Sequence, residues 1–161
     1  MNATYWITKL NLLPHPEGGY YKETYRCKEE VNSNKFEGSR NISTAIYFLL
    51  DGINRSHFHR IKSDELWFFH EGSTLEVLLL KETGLETILL GKNPDKGESL
   101  QAIVPAGCWF GARLKEGKDY TLVSCTVAPG FDFRDFELAN KNELKKAFPA
   151  HTDIIEEMSL S

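Results

Sequence analysis

Residues Gly52 to Gly72 read GINRSHFHRIKSDELWFFHEG and carry the most specific pattern in the chain. It sets two histidines two positions apart, and a glutamate six positions later, between turn-forming glycines. Because residues i and i+2 of a strand face the same way, His57 and His59 are expected to project together. A turn just before Glu65 can place the Glu65 carboxylate next to these two histidines. The stretch therefore predicts a candidate metal site built on a β scaffold.

The rest of the chain consists of short apolar runs separated by glycine and proline turns, which is typical of antiparallel β structure. Ser43 to Leu50 is one predicted strand, and the aromatic segment Tyr20 to Cys27 is another. Seven further strands are expected at the spacing of a sandwich or barrel: Asn54 to Ile61, Glu65 to His70, Thr74 to Leu80, Leu85 to Leu90, Ser99 to Val104, Cys108 to Leu114 and Tyr120 to Val127. Asn2 and Asn140 are expected to cap short helices near the two ends of the chain.

Length and composition indicate one domain over residues 1–161, long enough for a core without disulfide bonds. The net charge of −4 comes from 19 basic and 23 acidic residues spread along the chain, which argues against nucleic acid or an acidic membrane surface as a partner. Three cysteines without a CxxC spacing fit a reducing compartment. The chain has no secretory signal pattern and no membrane-spanning apolar run of roughly 18 residues. We therefore expect a cytoplasmic protein.

Two imidazoles and one carboxylate suit divalent iron, manganese, nickel or zinc, and three protein ligands leave positions open for substrate or water. His57, His59 and Glu65 are therefore the candidate metal ligands and the candidate catalytic residues. Glu65 can also act as a general base, because an apolar barrel raises the pKa of a carboxyl group. The competing interpretation is structural: two polar histidines on one strand face, and a glutamate paired with Arg60 or Arg55.

The pattern Gly52-x4-His57-x-His59-x5-Glu65-x6-Gly72 resembles the first conserved motif of the cupin superfamily, and Pro105-Ala106-Gly107 resembles the core of the second. The resemblance implies an all-β fold, a double-stranded β-helix or jelly-roll barrel of the RmlC-like type, with short terminal helices added. In metal-binding cupins the second motif supplies a fourth ligand, a histidine three positions after its glycine. This sequence has Phe110 there, so the resemblance implies that the four-ligand site is incomplete.

Further segments narrow the resemblance to one cupin subfamily, cupin-5, also known as domain of unknown function 985. They are Pro16 to Tyr21, Ser43 to Tyr47, Ser56 to Arg60, Ala128 to Phe133 and Asp135 to Leu138, and the similarity extends from about Thr4 to Ile155. The subfamily implies a homodimer of jelly-roll subunits, with a pocket compared to those of sugar-nucleotide epimerases and no settled reaction. The sequence departs from the common pattern at Phe68, where a histidine is frequent, and at Phe110, where a glutamine is frequent.

Aromatic and loop residues complete the predicted site. Tyr47, Trp67 and Phe110 are candidate walls for a sugar or planar ligand, and Trp67 shares the face of Glu65 by strand alternation. Glu17 and Tyr20 are candidate polar contacts from a loop that folds over the pocket, with His15 beside them. The alternative for this loop is a β-turn that simply needs its two glycines.

Two other features are interpreted as structural. Phe131 to Phe136 alternates aromatic and charged residues, which favours an edge strand or a dimer contact over catalysis. Cys108 and Cys125 lie in apolar strands and are expected to behave as small buried hydrophobic residues.

The sequence predicts an enzyme-like cupin that binds a small polar, carbohydrate-like molecule in its barrel. One version is an isomerase or epimerase in which a histidine or Glu65 removes a proton next to a carbonyl group. A second version is a metal-dependent oxygenase that uses His57, His59 and Glu65 as a facial triad. The competing class is a ligand-binding cupin without turnover.

Overall fold

The computed structural model describes residues 1–160 and packs two antiparallel sheets against each other. The predicted domain ends at Ser161, which lies outside the described residues. The helices are α1 (Ala3–Leu10), α2 (Lys141–Ala147) and α3 (Thr152–Met158). The strands are β1 (Leu13–Pro14), β2 (Tyr20–Arg26), β3 (Glu30–Asn32), β4 (Ser39–Asn41), β5 (Thr44–Asp51), β6 (Arg55–Arg60), β7 (Asp64–Gly72), β8 (Leu75–Lys81), β9 (Gly84–Leu90), β10 (Gln101–Val104), β11 (Trp109–Leu114), β12 (Tyr120–Ala128) and β13 (Glu137–Leu138).

The larger sheet has the strand order β1-β2-β5-β12-β7-β10, and the smaller sheet has the order β13-β6-β11-β8-β9. Strands β3 and β4 form a separate hairpin. Every strand predicted from the sequence is present, with ends that differ by no more than about two residues, the usual uncertainty of strand boundaries. The jelly-roll prediction is confirmed. Strands β1, β3, β4 and β13 were not predicted, because strands of two or three residues are too short to show an alternating pattern.

The main core lies between the two sheets and is built from alternate residues of their strands. From the larger sheet come Phe48, Leu50, Trp67, Ala102, Val104, Val123 and Cys125, and from the smaller sheet come Leu75, Val77, Leu79, Leu90, Phe110, Ala112 and Leu114. Cys125 is buried, as predicted. This core fills one part of the space between the sheets, and the candidate site occupies another.

The helices cover the outer faces of the sheets. The side chain of Asn2 accepts a hydrogen bond from the Tyr5 N–H at 2.9 Å, and that of Asn140 accepts one from the Glu143 N–H at 3.1 Å. Both predicted caps are therefore confirmed. Helix α1 packs on the larger sheet, whereas α2 and α3 pack on the smaller one through Leu144, Ile155 and Met158. In residues 1–160 no helix is long and apolar enough to cross a membrane.

A β-bulge in β6 decides which of its side chains face inward. Phe110 pairs with His59 and Ala112 pairs with Ser56, so Gly111 lies opposite two residues of β6 rather than one. A Cβ on Gly111 would lie 2.7 Å from the carbonyl oxygen of Ser56, so a larger residue does not fit here. The bulge brings Ser56 and His59, three positions apart, to the inner side of the sheet, while Phe58 packs outward under α3.

Candidate functional site

A glycine-containing loop between β1 and β2 carries Glu17 into the space between the sheets. Gly18 has a φ of 109°, and a Cβ there would lie 1.9 Å from the carbonyl oxygen of Arg55. Glycine therefore allows the loop to lie directly on β6. The carbonyl oxygen of Glu17 accepts a hydrogen bond from the His57 N–H at 2.8 Å, which fixes the loop to that strand.

The Glu17 side chain contacts two residues of β6. Its Oε1 accepts a hydrogen bond from Ser56 Oγ at 2.8 Å, and its Oε2 lies 2.8 Å from Nε2 of His59. The other ring nitrogen of His59, Nδ1, lies 2.7 Å from the carbonyl oxygen of His57. Since both nitrogens of His59 face oxygen acceptors, each is expected to carry a proton.

Glu17 and His59 form a buried ion pair. Burial alone would raise the pKa of Glu17, but the charge and hydrogen bond of His59, together with His15 and the Ser56 hydroxyl, outweigh burial and lower it. Burial alone would likewise lower the pKa of His59, but the charge and hydrogen bond of Glu17 raise it instead. Each partner therefore stabilises the charged form of the other.

Glu65, near the start of β7, is the second carboxyl group of the site. Burial raises the pKa of Glu65 to about 7, and the negative charge of Glu17 adds to the rise, which His59, Cys125 and Trp67 oppose. The indole Nε1 of Trp67 lies near enough to favour the Glu65 carboxylate, but it makes no hydrogen bond of ordinary geometry within the described chain. Glu65 can therefore take up and release a proton near neutral pH, as general acid–base chemistry requires.

His15 adds a neutral imidazole on the loop side. Burial lowers the pKa of His15, the charge of Glu17 opposes this, and the positive His59 lowers the pKa further. Its Nδ1 accepts a hydrogen bond from the backbone N–H of Glu17 at 3.1 Å, which assigns the ring proton to Nε2. The ring packs edge-on against Tyr21, with centroids 4.5 Å apart. His15 thus supplies an N–H donor in the lining of the site.

These ionisable groups line a cavity of about 430 Å³. A cavity of this size is suited to a small organic molecule. Most of its other wall residues are apolar or aromatic: Leu13, Tyr21, Ile46, Ile61, Val127, Phe131, Phe133 and Phe136. Cys125 lies in the same wall as Glu65. The site is therefore a largely apolar cavity with a few convergent charged groups.

The aromatic wall belongs to the loop between β12 and β13, which a buried ion pair fixes in place. Arg40, in β4, donates from Nε and Nη2 to the two carboxylate oxygens of Asp135, at 2.7 and 2.9 Å. Asp135 precedes Phe136, whose ring centroid lies 5.4 Å from that of His59. The interpretation of Phe131 to Phe136 as an edge strand is wrong, because Phe133 to Asp135 form a 3-10 helix and the three phenylalanines line the cavity; the alternative of a dimer contact stays a prediction. Asp135 and Arg40 lie 95 positions apart, so no local pattern indicates this placement.

Three residues predicted for the site line the cavity, namely Glu17, His59 and Glu65. The expectation that His57 projects together with His59 is wrong, because the bulge opposite Gly111 interrupts the strand alternation. His57 is absent from the cavity lining, and its Nδ1 lies 2.7 Å from the carbonyl oxygen of Glu17. In its place, Ser56 joins the polar network.

The other predicted contacts lie outside the cavity lining. Tyr20 and Tyr47 pack on the outer face of the larger sheet beside α1. Side chains alternate between the two faces of a strand, so in β2 the neighbouring Tyr21, rather than Tyr20, faces inward. Trp67 faces inward as predicted, but it and Phe110 are fully buried core residues. The Phe110 ring lies behind His59, with centroids 4.1 Å apart.

The residues present do not fit a divalent metal ion. The predicted triad does not converge, since His57 is held by the loop carbonyl and His59 directs both nitrogens at oxygen acceptors. Phe110, where the resemblance to metal-binding cupins implies a fourth ligand, has no donor atom to offer. Across residues 1–160, no three His, Cys, Asp or Glu side chains are grouped so that they could hold an ion. Glu17, rather than a cation, is the charged partner of His59.

Two facing sheets enclosing such a cavity define a cupin-type barrel. The chain superimposes on part of oxalate decarboxylase from Bacillus subtilis with a TM-score of 0.57, at 14% identity, over 90% of this chain and 36% of that one. This likeness concerns the fold alone. The profile of the family described as Cupin superfamily (DUF985) matches residues 4–139, and the chain belongs to that family.

Three relatives are similar over most of their length. A hypothetical protein from Leishmania major has 37% identity and a TM-score of 0.93 over 100% of both chains. A protein from Shewanella oneidensis has 39% identity and a TM-score of 0.90 over 99% of this chain and 98% of that one. An uncharacterized protein of Saccharomyces cerevisiae is 31% identical over an alignment of 153 residues, and the match covers 86% of this chain and 76% of the yeast protein.

Proposed function

We propose that this cupin is an isomerase-like enzyme that moves a proton to and from a carbon atom next to a carbonyl group of a small organic molecule. The observation that carries the proposal is the placement of Glu65, which lines the cavity as a buried carboxyl group near a second carboxylate, that of Glu17, which is paired with His59. A base needs this combination of access to the ligand and a proton affinity near neutral pH.

Each ionisable group has a role in the proposed step. The Glu65 carboxylate takes the proton, the electron pair of the broken C–H bond forms a carbon–carbon double bond, and the carbonyl electrons move onto oxygen. The Nε2–H of His15 donates a hydrogen bond to that oxygen. Glu65 then returns the proton to the same carbon atom while the carbonyl double bond re-forms; return to the opposite face of that carbon gives the epimer, and no other reactant is consumed.

The Glu17–His59 pair has a positioning role in this scheme. The negative charge of Glu17 adds to the rise in the pKa of Glu65, whereas the positive His59 limits it. The backbone N–H of Glu17 also fixes the tautomer of His15. The pair therefore sets the protonation states of both groups that act on the substrate, and the scheme needs no metal ligand.

Solvent exchange tests the proposal. The protein is incubated in deuterium oxide with a panel of enolisable ketones, ketoses and aldehydes, and the loss of proton signals next to the carbonyl group is followed by NMR. We expect catalysed exchange for at least one compound, and a loss of about 100-fold or more in Glu65→Gln, which keeps the side-chain shape but cannot accept the proton. Binding of panel compounds without any catalysed exchange would instead indicate a ligand-binding cupin without turnover.

A further inference from the structure

The bottom of the cavity carries buried ionisable groups, whereas its mouth combines exposed apolar side chains with charged side chains that pair mostly with one another. His59 and Glu65 are 2% and 8% exposed, whereas Leu13 and Phe133, in the same lining, are 66% and 51% exposed. A molecule that fills the cavity therefore meets hydrogen-bonding groups with its inner end and apolar side chains with its outer part.

The charged side chains at the mouth are largely engaged with one another. Arg26 pairs with Glu23 at 2.7 Å, and Asp132 pairs with Arg134 at 2.9 Å. Lys22 is then the single cation of the mouth that has no charged partner among residues 1–160. A free sugar has hydroxyl groups along its whole length, and those that face the apolar walls would lose hydrogen bonds to water without replacement.

The apolar side of the mouth is an ordered group of aromatic rings. The Phe131 and Phe133 rings meet edge-on with centroids 4.9 Å apart, and the Phe133 and Phe136 rings meet at 5.9 Å. The buried Arg40–Asp135 pair fixes this loop, so the rings are in place before a ligand arrives. Such rings favour a flat apolar or aromatic group, which gains both buried area and ring–ring contacts.

We propose that the ligand class of this site is a small uncharged ketone or aldehyde that carries an aromatic body, rather than a free sugar. The inference rests on the proposed proton transfer and assigns its substrate class. The carbonyl end lies at the bottom, next to Glu65 and His15, and the ring lies against Phe131, Phe133 and Phe136. The carbon atom between them is the one that loses and regains the proton.

Matched probes test the assignment. We compare 4-phenylbutan-2-one with dihydroxyacetone, because both are uncharged ketones with exchangeable neighbouring protons, and one carries a ring where the other carries hydroxyl groups. The cyclohexyl analogue of the first probe separates aromatic from merely apolar recognition. Dissociation constants come from ligand-observed NMR, and exchange rates come from deuterium incorporation in the same samples. We expect the phenyl ketone to bind at least about tenfold more tightly than dihydroxyacetone, and more tightly than the cyclohexyl analogue.

Two variants of equal exposure locate the contact. Phe133→Leu removes a ring of the wall, and Tyr25→Leu removes an aromatic ring that is outside the cavity lining; the two residues are 51% and 53% exposed. Because both side chains are half exposed, neither change should prevent folding. We expect Phe133→Leu to weaken binding of the phenyl ketone about threefold or more, and Tyr25→Leu to leave it unchanged.

The outcomes separate this inference from the function on which it rests. Preferred binding and exchange of dihydroxyacetone would overturn the aromatic assignment and leave the proton transfer standing. Selective binding of the phenyl ketone without catalysed exchange would support the aromatic ligand class and overturn the proton transfer. Equal effects of the two leucine variants would overturn the placement of the ring at Phe133.

Discussion

Replacing Glu65 with glutamine should remove a specific pH dependence of stability. The wild-type carboxyl group is buried, and its pKa is raised to about 7 from an ordinary value of 4.5. An unfolded chain therefore releases this proton at a lower pH than the folded chain does. Between these two values the folded state binds more protons, so Glu65 makes the free energy of unfolding fall as the pH rises. Glutamine does not ionise and cannot cause this loss.

The size of the effect follows from the two pKa values. At roughly 1.4 kcal/mol for each pH unit, ionising Glu65 in the folded protein costs up to about 3 kcal/mol above pH 7 and nothing well below pH 4.5. Between pH 5 and pH 8 the difference in unfolding free energy, Glu65→Gln minus wild type, should rise by about 2.5 kcal/mol. Placing an amide next to Trp67 and Cys125 has a cost that is the same at every pH. This cost cancels because only the change of the free-energy difference with pH is used.

Urea unfolding at several pH values between 5 and 8 measures this difference. Other titrating groups contribute to both proteins and largely cancel. The control is Glu116→Gln at an exposed position, for which the difference from wild type should stay nearly constant with pH. A Glu65→Gln difference that also stays constant within about 0.5 kcal/mol would refute the claim that burial holds this carboxyl group protonated up to neutral pH.

Three further changes test other parts of the structure. Glu17→Ala removes the partner of the buried His59 imidazolium and should lower the free energy of unfolding by about 3 to 5 kcal/mol in urea titrations. Arg40→Met leaves the buried Asp135 carboxylate without its bidentate partner and should cost a similar amount, about 3 kcal/mol or more. The homodimer remains a prediction: sedimentation velocity should give the mass of two chains, and Phe68→Lys on the outer face of the larger sheet should give the mass of one.

Two exposed ion pairs serve as controls for the buried ones. Glu23→Ala breaks the pair with Arg26, and Arg60→Met breaks the pair with Glu137; the side chains of both pairs are well exposed. Each should change the unfolding free energy by no more than about 1 kcal/mol. Losses as large as those of the Glu17 and Arg40 variants would contradict the claim that burial makes those two pairs important.

A wild-type protein that sediments as a single chain would contradict the predicted dimer.

The fold and most of the charged site could be predicted, and the strands and the placement of Glu65 depend on local patterns. Period-two alternation between glycine and proline turns gave the strands, and the same alternation placed Glu65 and Trp67 on one inner face. The prediction that His57 faces the cavity failed, because a bulge in β6 shifts the alternation of its side chains between the two faces. That bulge depends on Gly111 in the neighbouring strand β11. Gly111 inside an apolar strand is the signal that could have indicated that bulge.

The aromatic wall could not be predicted, since it depends on contacts between distant parts of the chain. Phe131 to Phe136 has the alternation of an edge strand, but the segment from Phe133 to Asp135 forms a 3-10 turn instead. The turn is held by Arg40, which lies 95 positions from Asp135 and belongs to a short hairpin with no clear sequence pattern. Pairings of this kind appear only when the chain is folded.

The proposed function requires this cupin to move protons with its own carboxyl and imidazole groups. The most direct test is deuterium exchange into 4-phenylbutan-2-one by protein that was purified without a histidine tag, treated with a chelator and checked by elemental analysis. We expect exchange to persist without metal, to be unchanged on adding manganese, iron, nickel or zinc, and to be lost in Glu65→Gln. Exchange that is absent from the metal-free protein and is restored by one equivalent of a metal would contradict proton transfer by the protein's own groups.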